Sequence, residues 1–287
     1  MRIAITGTRG TLGQALVRHA EAAGHTLLHL NRPECDITDP AAVMQALAAF
    51  KPDTVIHPAA YTNVDGAESD PAAAFAVNGL GTRNLALACV ATDAQLVYVS
   101  TNMVFFDETR TTPYIEFDTP CPVGVYATSK RAGEMYVEHL MQRFYIARVS
   151  WLYGKQGDSF IHKIVRAADA RGALGVVADE TATPTYAEDL AAALLKLQET
   201  GLYGWYHAVN EGECSRFEYA REIMRLTGRE HIPISPTALA DFKRPAPTPH
   251  YSTIKNSVGA QAGIILRPWQ DALADYLAGV EAAGTPG

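Results

Sequence analysis

Apolar residues in this chain fall into short unbroken runs, and the runs alternate with stretches of helical period. Arg2–Thr6 reads as a strand, followed by a glycine-rich turn and a helical pattern from Thr11 to about Ala23, which Gly24 stops. His25–Leu30, Thr54–His57, Gln95–Ser100 and Tyr145–Val149 read as four more strands. Helical stretches lie between them at Pro40–Phe50, at about Pro71–Ala91 and at Val125–Arg143. Asp39 is a good N-cap for the first of these, with Pro40 at the first helical position. Strands too apolar to alternate, joined by helical crossovers, predict an α/β fold: a doubly wound parallel sheet covered on both faces.

The pattern loosens after Trp151. Helical stretches recur at Phe160–Arg171, Glu188–Glu199, Phe217–Leu226 and about Trp269–Ala282, with a Pro-rich stretch from Ile232 to Pro249. The reading is a cofactor domain over residues 1–150, with returning segments from the C-terminal part, and a smaller α/β substrate-binding domain over 151–287.

Composition narrows the class. The 287 residues include 24 Lys+Arg against 31 Asp+Glu, a net charge of −7, and 48% are apolar. An acidic balance argues against nucleic acid as a partner, since that binding rests on Lys and Arg meeting phosphates. No stretch approaches 18 uninterrupted apolar residues, so no membrane span is expected. The opening MRIAIT reads as a strand rather than a secretory signal. Cys35, Cys89, Cys121 and Cys214 form no Cys-x-x-Cys pair and read as free thiols of a cytoplasmic protein, with no metal site.

Two motifs carry chemistry. The first strand ends in Thr6-Gly7-Thr8-Arg9-Gly10-Thr11-Leu12-Gly13. Glycines at this spacing, between a strand and a helix, let the turn adopt φ > 0 and let a pyrophosphate approach the backbone. The helix N-terminus then offers N–H groups and a positive dipole end to the anion. Past the second strand stands Arg32 rather than an acid, which with Arg9 favours NADP(H); Glu34 nearby leaves NAD(H) open.

The second motif is Tyr126-Ala-Thr-Ser-Lys130 at the start of a helix, where i, i+4 spacing puts both side chains on one face. An ammonium beside a phenol favours phenolate and lowers its pKa, and such a Tyr can pass a proton to a carbonyl oxygen. Tyr251 and Lys255 share the spacing but follow the Pro-rich loop, whereas Tyr126 follows the fourth strand, at the edge where ligands bind in such sheets. Thr101, at that strand's end, is either a third member that orients a substrate oxygen or a cap on its loop.

Together the glycine turn and the Tyr-x-x-x-Lys pair resemble the extended short-chain dehydrogenases/reductases. Longer strings narrow the resemblance to the dTDP-4-dehydrorhamnose reductase family: Cys35–Asp39, His57–Asp65, Val77-Asn78, Ser100–Phe105, Pro122–Glu134, Arg148–Gly154, Pro184–Tyr186 and Arg267–Gln270. The resemblance implies a Rossmann-like fold and NADPH-dependent reduction of the C4 keto group of a nucleotide-linked 4-keto-6-deoxysugar. It places Asp36 and Ile37 by the adenine, and Ala59, Ala60 and Tyr61 along the cofactor, with Asn78 shaping the site from a helix. Thr101, Tyr126 and Lys130 become the catalytic trio, and Asn102, Val104 and Trp151 face the sugar nucleotide, with Arg244 near its phosphates. The alternatives are a sugar-nucleotide epimerase or dehydratase of the same fold, or a non-catalytic NAD(P)-binding regulatory subunit.

The chain also departs from the family pattern. Asn102 and Met103 stand where the family has Asp and Tyr, and His57-Pro58 replaces the usual Asn before the alanines. His57 reads as a satisfied buried imidazole. Ala15 stands where some relatives use a Glu to hold Mg²⁺ between two copies, which leaves Mg²⁺ unsupported and a homodimer open.

Overall fold

The computed structural model describes residues 1–157 and 159–282. Its centre is a six-stranded, all-parallel sheet. Strands β1 (Arg2–Thr6), β2 (Thr26–Leu30), β3 (Thr54–His57), β4 (Gln95–Thr101) and β5 (Phe144–Val149) are joined by a returning strand, Gly204–His207. From one edge the order is Gly204–His207, β5, β4, β3, β1, β2. Successive crossovers run in opposite directions from β1, so a crevice opens between β1 and β3 at the carboxyl ends of the strands.

Alternation along each strand sends its side chains to two cores. Ile3, Ile5, Val97, Val99, Tyr145 and Ala147 pack with helix α1 (Thr11–Ala22) and the helix Ala187–Leu197. Ala4, Val55, Leu96, Tyr98 and Ile146 point the other way, into helix α2 (Pro40–Phe50) and the helices Thr82–Ala91 and Val125–Leu140. Asp39 caps α2 as expected, its Oδ1 accepting from Ala41 N at 2.9 Å and Ala42 N at 3.2 Å. A third core gathers Tyr153, Ile161, Tyr186, Tyr219, Trp269 and Tyr276 from the later segments.

Two local readings need correction. Residues 71–91 are helical throughout but not one α-helix. Pro71–Phe75 passes into a π-turn over Ala76–Gly81 before Thr82–Ala91 resumes. A further short helix, Val64–Ser69, precedes it, capped by Asn63. Among the described residues no helix is long and apolar enough to cross a membrane.

Candidate active site

The carboxyl ends of the strands open into a cavity of about 800 Å³. One end is built by the glycine turn. Gly7 has φ +58°, and a Cβ there would lie 3.1 Å from Ala59 Cα. A Cβ on Gly13 would come within 2.7 Å of Thr8 Cα. The close packing of α1 on β1 and β3 therefore requires both glycines. Gly10 precedes α1 and supplies no side-chain cap, so the first-turn N–H groups of Thr11, Leu12 and Gly13 face the cavity. Arg9 and Arg32 stand at this end, Arg9 paired loosely with Glu34 at 3.6 Å. Asp36 and Ile37 line the same wall. Asp36 Oδ1 accepts from the backbone and hydroxyl of Thr38, both at 2.9 Å, which holds its carboxyl below the ordinary range.

A buried hydrogen-bond chain stands behind this wall. Ala59 N donates to Thr6 Oγ1, and the Thr6 hydroxyl donates to His57 Nδ1 at 2.8 Å, since the neutral ring carries its one proton on Nε2. His57 Nε2 then donates to Thr82 Oγ1 at 3.1 Å, because the Thr82 hydroxyl itself donates to the Asn78 carbonyl. Both imidazole nitrogens are satisfied, and burial pushes the His57 pKa well below its ordinary value. Asn78, on the π-turn, accepts from Tyr61 N at 2.8 Å and donates to Tyr61 O and to Ser129 Oγ. Ser129 in turn donates to the Tyr126 carbonyl. Asn78 and Tyr61 thus stand behind Ala59 and Ala60, which line the cavity, rather than lining it themselves.

Tyr126, Lys130 and Thr101 meet at the middle of the cavity. Lys130 Nζ donates to the Val99 carbonyl at 2.8 Å and lies 4.3 Å from the centre of the Tyr98 ring. Desolvation lowers its pKa to about 7, against the opposing pull of Glu134 one turn along the helix. The expected lowering of the Tyr126 pKa by Lys130 is not what the geometry gives. Burial pushes the phenol up, and only the Thr101 hydroxyl beside it pulls down. Tyr126 therefore keeps its proton at neutral pH, the state a proton donor needs.

The far wall comes from later segments. Trp151, just past β5, has φ +37° and carries the Arg216 guanidinium 3.5 Å from its ring centre. Arg216 is tied to Glu180, which is almost fully buried. Arg244 lines the cavity with its Nε on Asp65 Oδ1 at 3.0 Å. Tyr251 and Lys255 stay outside; their segment is not helical, so i, i+4 spacing does not put them on one face, and Tyr251 donates to Glu213.

The model of the RmlD substrate binding domain family matches residues 1–282. The chain belongs to the RmlD family. The dTDP-4-dehydrorhamnose reductase of Mycolicibacterium smegmatis is 43% identical over 289 residues, covering 100% of this chain and 88% of that protein. A dTDP-4-dehydrorhamnose reductase crystal structure from Clostridium acetobutylicum superposes with a TM-score of 0.94 at 34% identity, over 98% of this chain and 100% of that one. The Bacillus anthracis dTDP-4-dehydrorhamnose reductase, solved with NADP, gives 0.92 at 36% identity, over 97% and 99%.

One substrate-facing expectation for this RmlD chain fails. Val104 is fully buried with Phe105, Tyr114, Val209 and Ile254 and does not reach the cavity. The short 3-10 turn Asn102–Val104 sends Met103 to the cavity and Val104 to the core. Asn102 lines the cavity, but its Nδ2 donates to Ser252 O at 3.0 Å and Ser252 Oγ at 2.9 Å. It ties the end of β4 to the segment beneath the Pro-rich loop, and an Asp could not donate to that carbonyl. Ala15 is buried in the core, with no ligand atom to offer a cation. Among the described residues no cluster of His, Cys, Asp and Glu could hold a metal. Arg216, Glu180 and Ser252 were not legible as cavity residues. The one local signal was Ser215-x-x-Glu218, a capping box that marks the helix start at Arg216 but not what it faces.

Proposed function

We propose that this protein uses NADPH to reduce the C4 keto group of dTDP-4-dehydrorhamnose, giving dTDP-rhamnose. The observation that carries the reading is one cavity joining the glycine turn to Thr101, Tyr126 and Lys130, in a chain of the RmlD family.

The site fits a dinucleotide. Its uncapped helix N-terminus and its glycine-lined floor admit a pyrophosphate, and Gly7, Gly10, Thr11, Leu12 and Gly13 would hold it. Arg9 and Arg32 would take the 2′-phosphate, with Asp36 and Ile37 beside the adenine and Ala59 and Ala60 along the ribose and nicotinamide. NADPH, when bound, supplies the hydride for the sugar carbonyl carbon. Tyr126 holds a proton at the phenol and delivers it to the carbonyl oxygen. Thr101 donates a hydrogen bond to that oxygen and fixes its direction. Lys130 holds the cofactor ribose with its ammonium. Trp151 and Met103 offer an apolar surface to the deoxysugar, and Arg244 faces its diphosphate. A nucleotide-sugar enzyme with free thiols belongs in the cytoplasm, and light scattering on the purified protein decides between a monomer and the homodimer the family resemblance leaves open.

NADPH oxidation measured against a panel of nucleotide-linked 4-keto sugars tests the reading. Stoichiometric consumption with dTDP-4-dehydrorhamnose is the expected result. Turnover of a sugar nucleotide without net NADPH consumption would instead mark an epimerase or dehydratase, and tight NADPH binding with no turnover would mark a regulatory subunit.

A further inference from the structure

We propose that Arg216 is a positioning residue for the reduction, locking the Trp151 indole as a fixed wall of the cavity's sugar end. The inference rests on the proposed function for the identity of the sugar, but its physical basis is independent of it. Trp151 has a left-handed backbone, φ +37°. The other described non-glycine residues with positive φ, Lys51 and Asp93, are exposed polar residues, the first closing α2 and the second in a turn. A large aromatic side chain in this region is rare, and such outliers persist only where their surroundings hold them.

What holds Trp151 is a stack. The Arg216 guanidinium lies 3.5 Å from the indole centre and 5.1 Å from the Phe160 ring. Phe160 stacks on Tyr219 at 5.7 Å with an interplanar angle of 11°. The guanidinium is itself fixed. Nε and Nη2 both donate to Glu180 Oε1, at 3.2 and 3.0 Å, and the Arg216 backbone N–H donates to the Glu180 carbonyl at 3.1 Å. Glu180 directly precedes the strand Thr181–Ala182, which pairs antiparallel with Cys214–Ser215, so the sheet registers both partners before either side chain is placed. Trp151, Arg216 and Glu180 all line the cavity that holds Tyr126.

Because Glu180 balances its charge, Arg216 acts here through its plane. A lysine keeps the charge but offers no flat face, so it cannot replace the stack. Without the guanidinium the indole keeps only the more distant Tyr219 ring, 6.3 Å away, as a ring partner among the described residues. Its angle loosens, the sugar loses the orientation that sets its carbonyl against Tyr126 and Thr101, and misplacement of this kind lowers rate steeply.

The test compares Arg216→Lys, Arg216→Met, Trp151→Ala and the Arg216→Met/Trp151→Ala double variant. Both Arg216 variants are expected to lose at least tenfold in kcat/KM for the sugar nucleotide, with NADPH affinity within about twofold of the parent. In the Trp151→Ala background Arg216→Met is expected to add less than about twofold. Full activity in Arg216→Lys, a multiplicative loss in the double variant, or a parallel fall in NADPH affinity would each overturn the proposal. Tryptophan emission gives an answer that needs no turnover. Arg216→Met should change it in the parent protein and leave it unchanged in a Trp151→Phe background, and no change in the parent would also overturn the proposal. If the parent fails to reduce any 4-keto sugar while the emission result holds, the proposed function fails and the Arg216–Trp151 coupling stands.

Discussion

Asn78 donates to Ser129 Oγ at 2.9 Å, and through that one bond the loop along the cofactor wall is tied to the helix that carries Tyr126. The other polar contacts of its side chain go to the Tyr61 backbone, and Ser129 passes the restraint to the Tyr126 carbonyl. Asn78 sits within the π-turn over Ala76–Gly81, a local widening of the helix of the kind often found at functional sites. Asn78→Ala leaves the part-buried Tyr61 N–H without its acceptor and Ser129 Oγ without an incoming donor, worth about 1–3 kcal/mol. Urea denaturation should show that loss. Turnover should fall roughly ten- to a hundredfold as Tyr126 loses its fixed position. A variant as stable and as fast as the parent would mean that the loop and the helix are held by other contacts.

Tyr126 keeps its proton because burial raises its pKa and only Thr101 opposes. Tyr126→Phe removes that proton and little else. Turnover should drop by roughly 10²–10⁴, the usual contribution of a positioned acid, while NADPH binding stays within about twofold. Steady-state assays and a fluorescence titration of NADPH separate the two effects. Unchanged turnover would remove Tyr126 from the chemistry.

The sequence made the sheet and the catalytic helix readable for a local reason. Strands β1, β3 and β4 each centre on an unbroken apolar run, β2 and β5 are interrupted only by His29 and Arg148, and Asp39-Pro40 and Gly7–Gly13 carry their geometry in adjacent residues. Tyr126 could be told from Tyr251 because only one of them follows a strand end. What stayed hidden was set by distant contacts. Val104 read as substrate-facing, but one 3-10 turn after Thr101 decides which of two neighbours faces the cavity, and Met103 took that place. Glu180 and Arg216 are brought together by a two-stranded pairing between Thr181–Ala182 and Cys214–Ser215, which no local pattern announces. The π-turn was invisible for a similar reason. Its stretch has the composition of an ordinary helix, and its widened register is stabilised from outside by Tyr61, Ser129 and Thr82.

Lys130 is desolvated to a pKa of about 7. In the unfolded chain the same ammonium titrates near its ordinary value, so between about pH 7 and 10.5 the unfolded state binds more protons than the folded one. This group's contribution to stability therefore rises with pH across that window and is least favourable below it. Function should run the opposite way, since the ammonium donates a stronger hydrogen bond to the cofactor ribose than the neutral amine does. We expect kcat/KM for NADPH, measured with saturating sugar nucleotide, to fall as pH rises through about 7. Tyr126 itself stays protonated over that range. A rate flat from pH 6 to 9 would mean either that Lys130 is still charged at pH 9 or that its charge is not used.

Glu134 and Arg148 form a bidentate pair in the core, Nε to Oε1 and Nη2 to Oε2 both at 2.9 Å, with the two side chains 0% and 2% exposed. The pair pins β5 to the helix Val125–Leu140, one turn beyond Lys130. Arg131 adds a second cation to Glu134 at 3.0 Å, while Arg148 Nη1 has no hydrogen-bond partner among the described residues. Breaking one side leaves an uncompensated charge in low dielectric, so Glu134→Gln should cost about 3–5 kcal/mol. The double variant Glu134→Leu/Arg148→Met removes both charges and should recover most of that loss, since a well-packed apolar pair is often as stable as a buried ion pair. Chemical denaturation of the two variants beside the parent measures both steps. A Glu134→Gln loss below about 1 kcal/mol would show that Arg148 finds water or another acceptor and that the helix is not anchored here. Recovery of stability without recovery of turnover would separate the two roles of Glu134, with the fold kept by packing and the raising effect on Lys130 lost with the carboxylate.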